Sequence, residues 1–222
     1  MSRMLIISEG EKLNIQKMYG LINEQTQSLT DELIIDIINS TISAKGSKDY
    51  DDLFVDGKGY TAVGILHFTG RGLKKLYKEM DTEKYFGKSY DEMVESINYK
   101  ELTNPPFEGW KEGMEKFLNS SESVSVQNKA ATSKFRRPLE EIISSHGWNT
   151  ARKYAVAMFY LNSYPACLKP IGNKYNWDAE QMLRAYCEGE CSEVSACRNR
   201  CNHINTNLPN TKKTEGYVWK GC

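Results

Sequence analysis

Apolar side chains recur at helical spacing along most of this chain. After Thr30, the run Leu33, Ile34, Ile35, Ile37, Ile38 predicts a helix over residues 31–43, with Thr30 as its N-cap. Its apolar arc is too wide for a surface helix, so a central buried position is expected. Leu73, Leu76, Tyr77 and Met80 predict a second helix over 73–80. Tyr90, Met93, Val94 and Ile97 predict one over 89–97, and Trp110, Met114, Phe117 and Leu118 one over 110–118. Pro138 divides the next apolar stretch into helices at 126–135 and 139–145. Thr150 caps a helix over 151–163, with Tyr154, Ala155, Met158, Phe159 and Leu161 for its packed face. Asp178 and Gln181 have capping spacing and start a helix that reaches Cys187. Ser8 and Glu11 have the same spacing ahead of a short amphipathic helix ending near Gly20. We read that arm as packed on the domain, in preference to docking on a larger assembly through Ile15, Met18 and Leu21.

Residues 60–68 break this pattern. They are aromatic and β-branched enough for a short hairpin strand, which Gly70-Arg71-Gly72 ends. Residues 44–52 link the central helix to the hairpin. Asn104-Pro105-Pro106 is a firm break, residues 119–125 form a serine-rich linker, and residues 164–177 read as loop. The expected class is therefore mainly α (α+β), with one small β-hairpin.

A length of 222 residues suits one domain with a small appendage. Lysine and arginine number 29 and so do aspartate and glutamate, so no global field argues for nucleic acid or a membrane surface. No apolar run approaches the length of a membrane span. The first residues carry too short an apolar core for a signal peptide. Five of the six cysteines, Cys187, Cys191, Cys197, Cys201 and Cys222, crowd the C-terminal end, and Cys167 lies apart. Cys187/Cys191 and Cys197/Cys201 each stand at i, i+4, one face of a helix. A disulfide-stapled C-terminal segment is preferred over a zinc site using His203, and the connectivity stays open. Tyr217, Trp219 and Lys220 would face a glycan or partner if this segment were an adhesion module, and a structural staple is preferred. The expected organisation is an arm at 1–28, a domain at 29–166 and a cysteine-rich extension at 167–222.

The candidate chemistry centres on Asp56-Gly57-Lys58-Gly59-Tyr60-Thr61. An acid opens a glycine-punctuated turn, where the backbone can approach a ligand closely, and a hydroxyl follows five residues later. Alone, an Asp-Gly-x-Gly is most simply a surface turn whose Asp caps its own backbone. His67 and His146 are single histidines, for which a structural role is the simplest reading. No nucleophilic triad, P-loop or dinucleotide fingerprint is present.

The longer stretch, with Gly64-Ile65 and Phe68 following, resembles the signature of the chitosanases of glycoside hydrolase family 46; Lys58 stands where that family has arginine. The resemblance runs over residues 33–165. It implies a lysozyme-like fold of two helical lobes with the hairpin at the cleft. It also implies inverting hydrolysis, with Asp56 as general base, Thr61 holding the attacking water, and Lys58, Tyr60 and His67 near substrate. An ungapped register puts Asn39-Ser40-Thr41 on the family's Asn-Ser-Ser-like residues and Ile38 on its general-acid glutamate. The nearest substitutes are Glu32 and Asp36. Asp36 lies about 200° around the helix from Ile38. The substrate implied is a β-1,4-linked amino-sugar polymer, peptidoglycan or chitosan, with no cofactor and no metal. Disulfides without a signal peptide suit action in the periplasm or outside the cell after release, from a virion or secretion assembly. The alternative is a non-catalytic glycan-binding or virion structural protein on the same scaffold.

Overall fold

The computed structural model describes residues 28–39, 50–54, 61–99 and 104–190. Asp56, Lys58, Tyr60, the N-terminal arm and the cysteines from Cys191 onward lie outside them. The described residues are mainly helical. In chain order they comprise α1 (Asp31–Ile37), β1 (Leu53–Phe54), β2 (Ala62–Val63), α2 (Arg71–Glu79), α3 (Thr82–Phe86), α4 (Tyr90–Glu95), α5 (Trp110–Leu118), α6 (Ser123–His146), α7 (Ala151–Ser163), α8 (Pro165–Lys174) and α9 (Ala179–Cys187).

Most helices start where side-chain chemistry says they should. The hydroxyl of Thr30 accepts from Leu33 N–H at 3.1 Å, opening α1. Ser89 and Glu92 form a reciprocal capping box on α4. Thr150 and Asp178 cap α7 and α9 in the same way. Helix α3, absent from the sequence reading, is five residues long. It is bounded by the Asp81 cap and by Gly87 in the left-handed region.

Helix α6 is the axis of the fold. It packs against α1, α2, α5 and α7, and its Ala130, Ala131, Phe135 and Leu139 are fully buried. It runs through Pro138 without interruption, which corrects the expected division into two helices. The energetics explain this. An interior proline costs roughly 3 kcal/mol. Phe135, Leu139 and Ile142, at i, i+4 and i+7 across it, are all buried, each contributing about 1.5–3 kcal/mol. The same helix absorbs the second half of the expected serine-rich linker, starting at Ser123. Helix α8 replaces the loop expected at 164–177. Pro165 sits at its first turn, where a missing N–H costs nothing, and Leu168 and Ile171 reach the core. The core is continuous from Ile34 to Tyr186, so α8 and α9 share it with α1.

Two further expectations change. The run 60–68 is not one strand. Only Ala62–Val63 pairs with Leu53–Phe54, and a turn at 64–67 folds Phe68 back onto Val63. Arg71 and Gly72 begin α2 behind a Gly70 cap, where the sequence suggested a break only. Helix α1 is also not buried all round. Ile34, Ile37 and Ile38 are in the core, whereas Asp31, Glu32 and Asp36 are exposed.

Candidate functional site

An open groove of about 590 Å³ runs between α1 and the first half of α6. Helix geometry assembles it. On α1, Asp31, Glu32, Ile35 and Asp36 form the stripe opposite the buried Ile34 and Ile38. On α6, Val124, Ser125, Asn128, Lys129 and Thr132 recur every three to four residues on one face, with Ser121 just ahead. The lining therefore offers three carboxylates, three hydroxyls, one amide and one ammonium, with Ile35 and Val124 as its apolar residues. Arg136 bridges from α6 to Asp31 and so ties the two walls together.

Glu32 and Asp36 stand one helical turn apart in this lining. Ile38 is fully buried and faces away from it. The sequence-derived candidates thus separate cleanly. The position that the ungapped register assigns to the acid belongs to the core, and the two neighbouring carboxylates face solvent in the groove.

The hairpin is bolted to α6 beside this groove. Gln127 is fully buried. Its Nε2 donates to the Tyr50 carbonyl at 2.7 Å and to Ser123 Oγ at 2.9 Å, and its Oε1 accepts from Ile65 N–H at 3.0 Å. One amide therefore holds both sides of the segment containing residues 55–60. Gly64 makes this possible. It has φ +65°, and a Cβ there would lie 1.9 Å from Gln127 Oε1. The Tyr50 hydroxyl donates to Asn128 Oδ1 at 2.5 Å, with Asn39 Oδ1 at 3.5 Å. Burial raises the Tyr50 phenol above its ordinary value, and the hydrogen bonds to Asn39 and Asn128 partly offset this. Asn128 lines the groove, so the residue leading into β1 is bonded to the groove wall. Asp56, Lys58 and Tyr60 fall in the segment outside the described residues. The sequence reading missed Tyr50 and Gln127 as functional supports. Gln127-Asn128 had been visible only as a helix start, because a buried amide leaves no periodic signal.

Thr61 and His67 are not in the groove. Thr61 is buried, and its Oγ1 has no partner among the described residues. With Thr69, Asn98 and Asn104 it lines a separate small pocket of about 10 Å³. His67 was expected on a strand facing the cleft. It sits in the turn after β2 with φ +48°, and its Nε2 lies 3.6 Å from Asp52 Oδ2. His146 stacks on Trp177 at a centroid distance of 3.9 Å, a packing role. Cys167 is disulfide-bonded; no other cysteine side chain is among those described. No cluster of potential metal ligands occurs among the described residues, and none of their helices is long and apolar enough to cross a membrane.

No protein-family model, curated protein or solved structure matches the chain.

Proposed function

We propose that the groove binds and hydrolyses a β-1,4-linked amino-sugar polymer, with peptidoglycan and chitosan as the two candidate polymers, on a lysozyme-like scaffold. The observation that carries this reading is the pairing of Glu32 and Asp36 in one open groove, beside hydroxyl and amide side chains and apolar contact surface. Sugar rings need that combination: carboxylates for proton transfer and amino groups, hydroxyl and amide partners for ring hydroxyls, and apolar surface for ring faces. The sequence adds Asp56, on the segment that Gln127 clamps at both sides.

In the proposed reaction, a carboxyl on α1 gives its proton to the glycosidic oxygen as the C1–O bond breaks. Asp56 takes a proton from the water whose oxygen attacks C1 from the opposite face. The anomeric configuration inverts, and proton exchange with solvent resets both groups. Glu32 is the favoured donor, because its side chain is one methylene longer than that of Asp36. Thr61, buried outside the groove at the entry to β2, is left without a direct role in this step. Inversion requires the two carboxyl groups to be roughly 6.5–9.5 Å apart.

The test is release of reducing ends from purified peptidoglycan and from chitosan, for the wild type, Glu32→Gln, Asp36→Asn and Asp56→Asn. Loss of general acid catalysis alone lowers the rate about 10²–10⁴-fold. The burial of Ile38 at the assigned acid position favours one second reading, a glycan-binding protein without catalysis. It predicts binding of chito-oligosaccharide in the groove with no cleavage of either polymer.

A further inference from the structure

The entry to β2, the start of α2 and the connection between α4 and α5 meet at the small pocket that Thr61 lines. Thr61 immediately precedes β2, and Thr69 stands just ahead of the Gly70 cap of α2. Leu73 comes from α2, and Ile97, Asn98, Asn104 and Pro106 come from the connection. The volume of about 10 Å³ is close to the room that one water molecule occupies. Two hydroxyls belong to this lining. Thr61 is 3% exposed, and its buried Oγ1 has no hydrogen-bond partner among the described residues. Thr69 reaches the surface in part, but its Oγ1 is also buried and also without a partner among them. The nearby backbone is already committed. Val63 and Phe68 exchange both of their hydrogen bonds, and Gly72 N–H goes to the Thr69 carbonyl at 2.8 Å. A buried hydroxyl without a partner forfeits its hydrogen bonds to solvent, and here two such groups share one pocket.

We propose that this pocket is a binding site for one ordered water, which bridges the Thr61 and Thr69 hydroxyls. Volume and chemistry both select water. The room suits a single molecule of that size. The lining carries no charged side chain among the described residues, so a small ion would find no counter-charge there. A hydroxyl both donates and accepts, as water does, so one water can satisfy the two Oγ1 atoms in either sense. Asn104 adds an amide to the same lining, which brings the available groups into the range of two to four partners that a buried water has. The bridge would join the entry of β2 to the start of α2. This water is distinct from the attacking water that the chitosanase resemblance assigns to Thr61, because no residue of this lining belongs to the groove. The inference stands apart from the glycosidase reading for the same reason.

The test combines crystallography of the full-length, oxidised protein with two near-isosteric substitutions, Thr61→Val and Thr69→Val. In a high-resolution crystal structure of the wild type we expect one water within about 2.5–3.0 Å of both Oγ1 atoms. It is absent from the Thr61→Val structure. Urea unfolding then separates bridged hydroxyls from bare ones by the sign of the shift. If a water bridges them, removing either hydroxyl breaks the link to the other, and each variant unfolds at lower urea than the wild type. The double variant loses less than the two single losses added together, because both act on one bridge. If the hydroxyls are bare, each methyl removes a desolvation penalty, and the midpoint holds or rises. A wild-type pocket without an ordered water, a water that persists in Thr61→Val, additive losses, or a midpoint that holds or rises would each overturn the proposal. Both readouts are independent of polymer cleavage, so failure of the glycosidase reading leaves this result untouched.

Discussion

Gln127 and Gly64 illustrate how single residues set the geometry of the candidate site. The buried Gln127 amide has three hydrogen bonds to the hairpin and its own helix, and each would be lost without a solvent replacement. Gly64→Ala forces a left-handed backbone on alanine and drives a methyl into Gln127. We expect a loss of about 1–3 kcal/mol in urea unfolding, the usual range for overpacking; a loss below half a kilocalorie would show that the clamp is not rigid. Trp110 anchors another part of the core. It is fully buried, and its indole N–H donates to Tyr77 Oη at 2.7 Å. Burial holds the Tyr77 phenol well above its ordinary range, only partly offset by that bond. Trp110→Ala should cost about 3–5 kcal/mol, read in the same assay. Glu122 carries the clearest pH linkage on the surface. Hydrogen bonds from Tyr85 and Lys84 hold its carboxyl below the usual glutamate value. Its contribution is therefore present above the unfolded-state pKa and lost as pH falls through the lowered folded one. Glu122→Gln should flatten the acid side of the stability profile, most visibly below pH 4.5, and an unchanged profile would contradict the assignment.

At the scale of elements, what the sequence revealed depended on whether a local signal agreed with tertiary packing. Helix α5 and helix α7 were legible to the residue, since their apolar period and their starts coincide. Helix α8 was not, because Pro165, Pro170 and Gly172 carry strong local breaker signals. Only the packing of Leu168 and Ile171 into the core overrides them. Pro138 is the same kind of breaker signal within α6. Within the site, the carboxylates of α1 were identifiable as candidates, but their exposure was not. The five isoleucine and leucine positions suggested burial all round, whereas the structure buries Ile34, Ile37 and Ile38 and leaves Asp31, Glu32 and Asp36 outside. The Gln127 clamp was invisible, because it joins Gln127 to residues 62 and 77 positions away. One contact between elements is testable directly. Arg152 on α7 is almost fully buried and donates to Glu180 on α9 at 2.5 and 2.8 Å. Glu180→Ala removes both of these acceptor oxygens and should cost about 1–3 kcal/mol. A neutral result would mean that Arg152 finds water or another acceptor.

At the scale of the whole molecule, α6 organises both the core and the candidate site. One face buries the apolar stripe, and one flank walls an acid-lined groove. The hairpin is the least regular part of the described chain, with two residue pairs, and it depends on α6 for its position. On the proposed reading, such a scaffold separates stability, carried by the continuous core, from chemistry, assigned to the segment that the core holds. If so, Asp56→Asn should unfold at the wild-type midpoint.

The most direct measurement is reducing-end release from peptidoglycan and chitosan by the folded wild type, compared with Asp56→Asn and Glu32→Gln. The account predicts cleavage of at least one polymer by the wild type. It also predicts a fall of about 10²-fold or more in each variant with unchanged unfolding midpoints. Cleavage that survives both substitutions, or none by the oxidised wild type on either polymer, would contradict it.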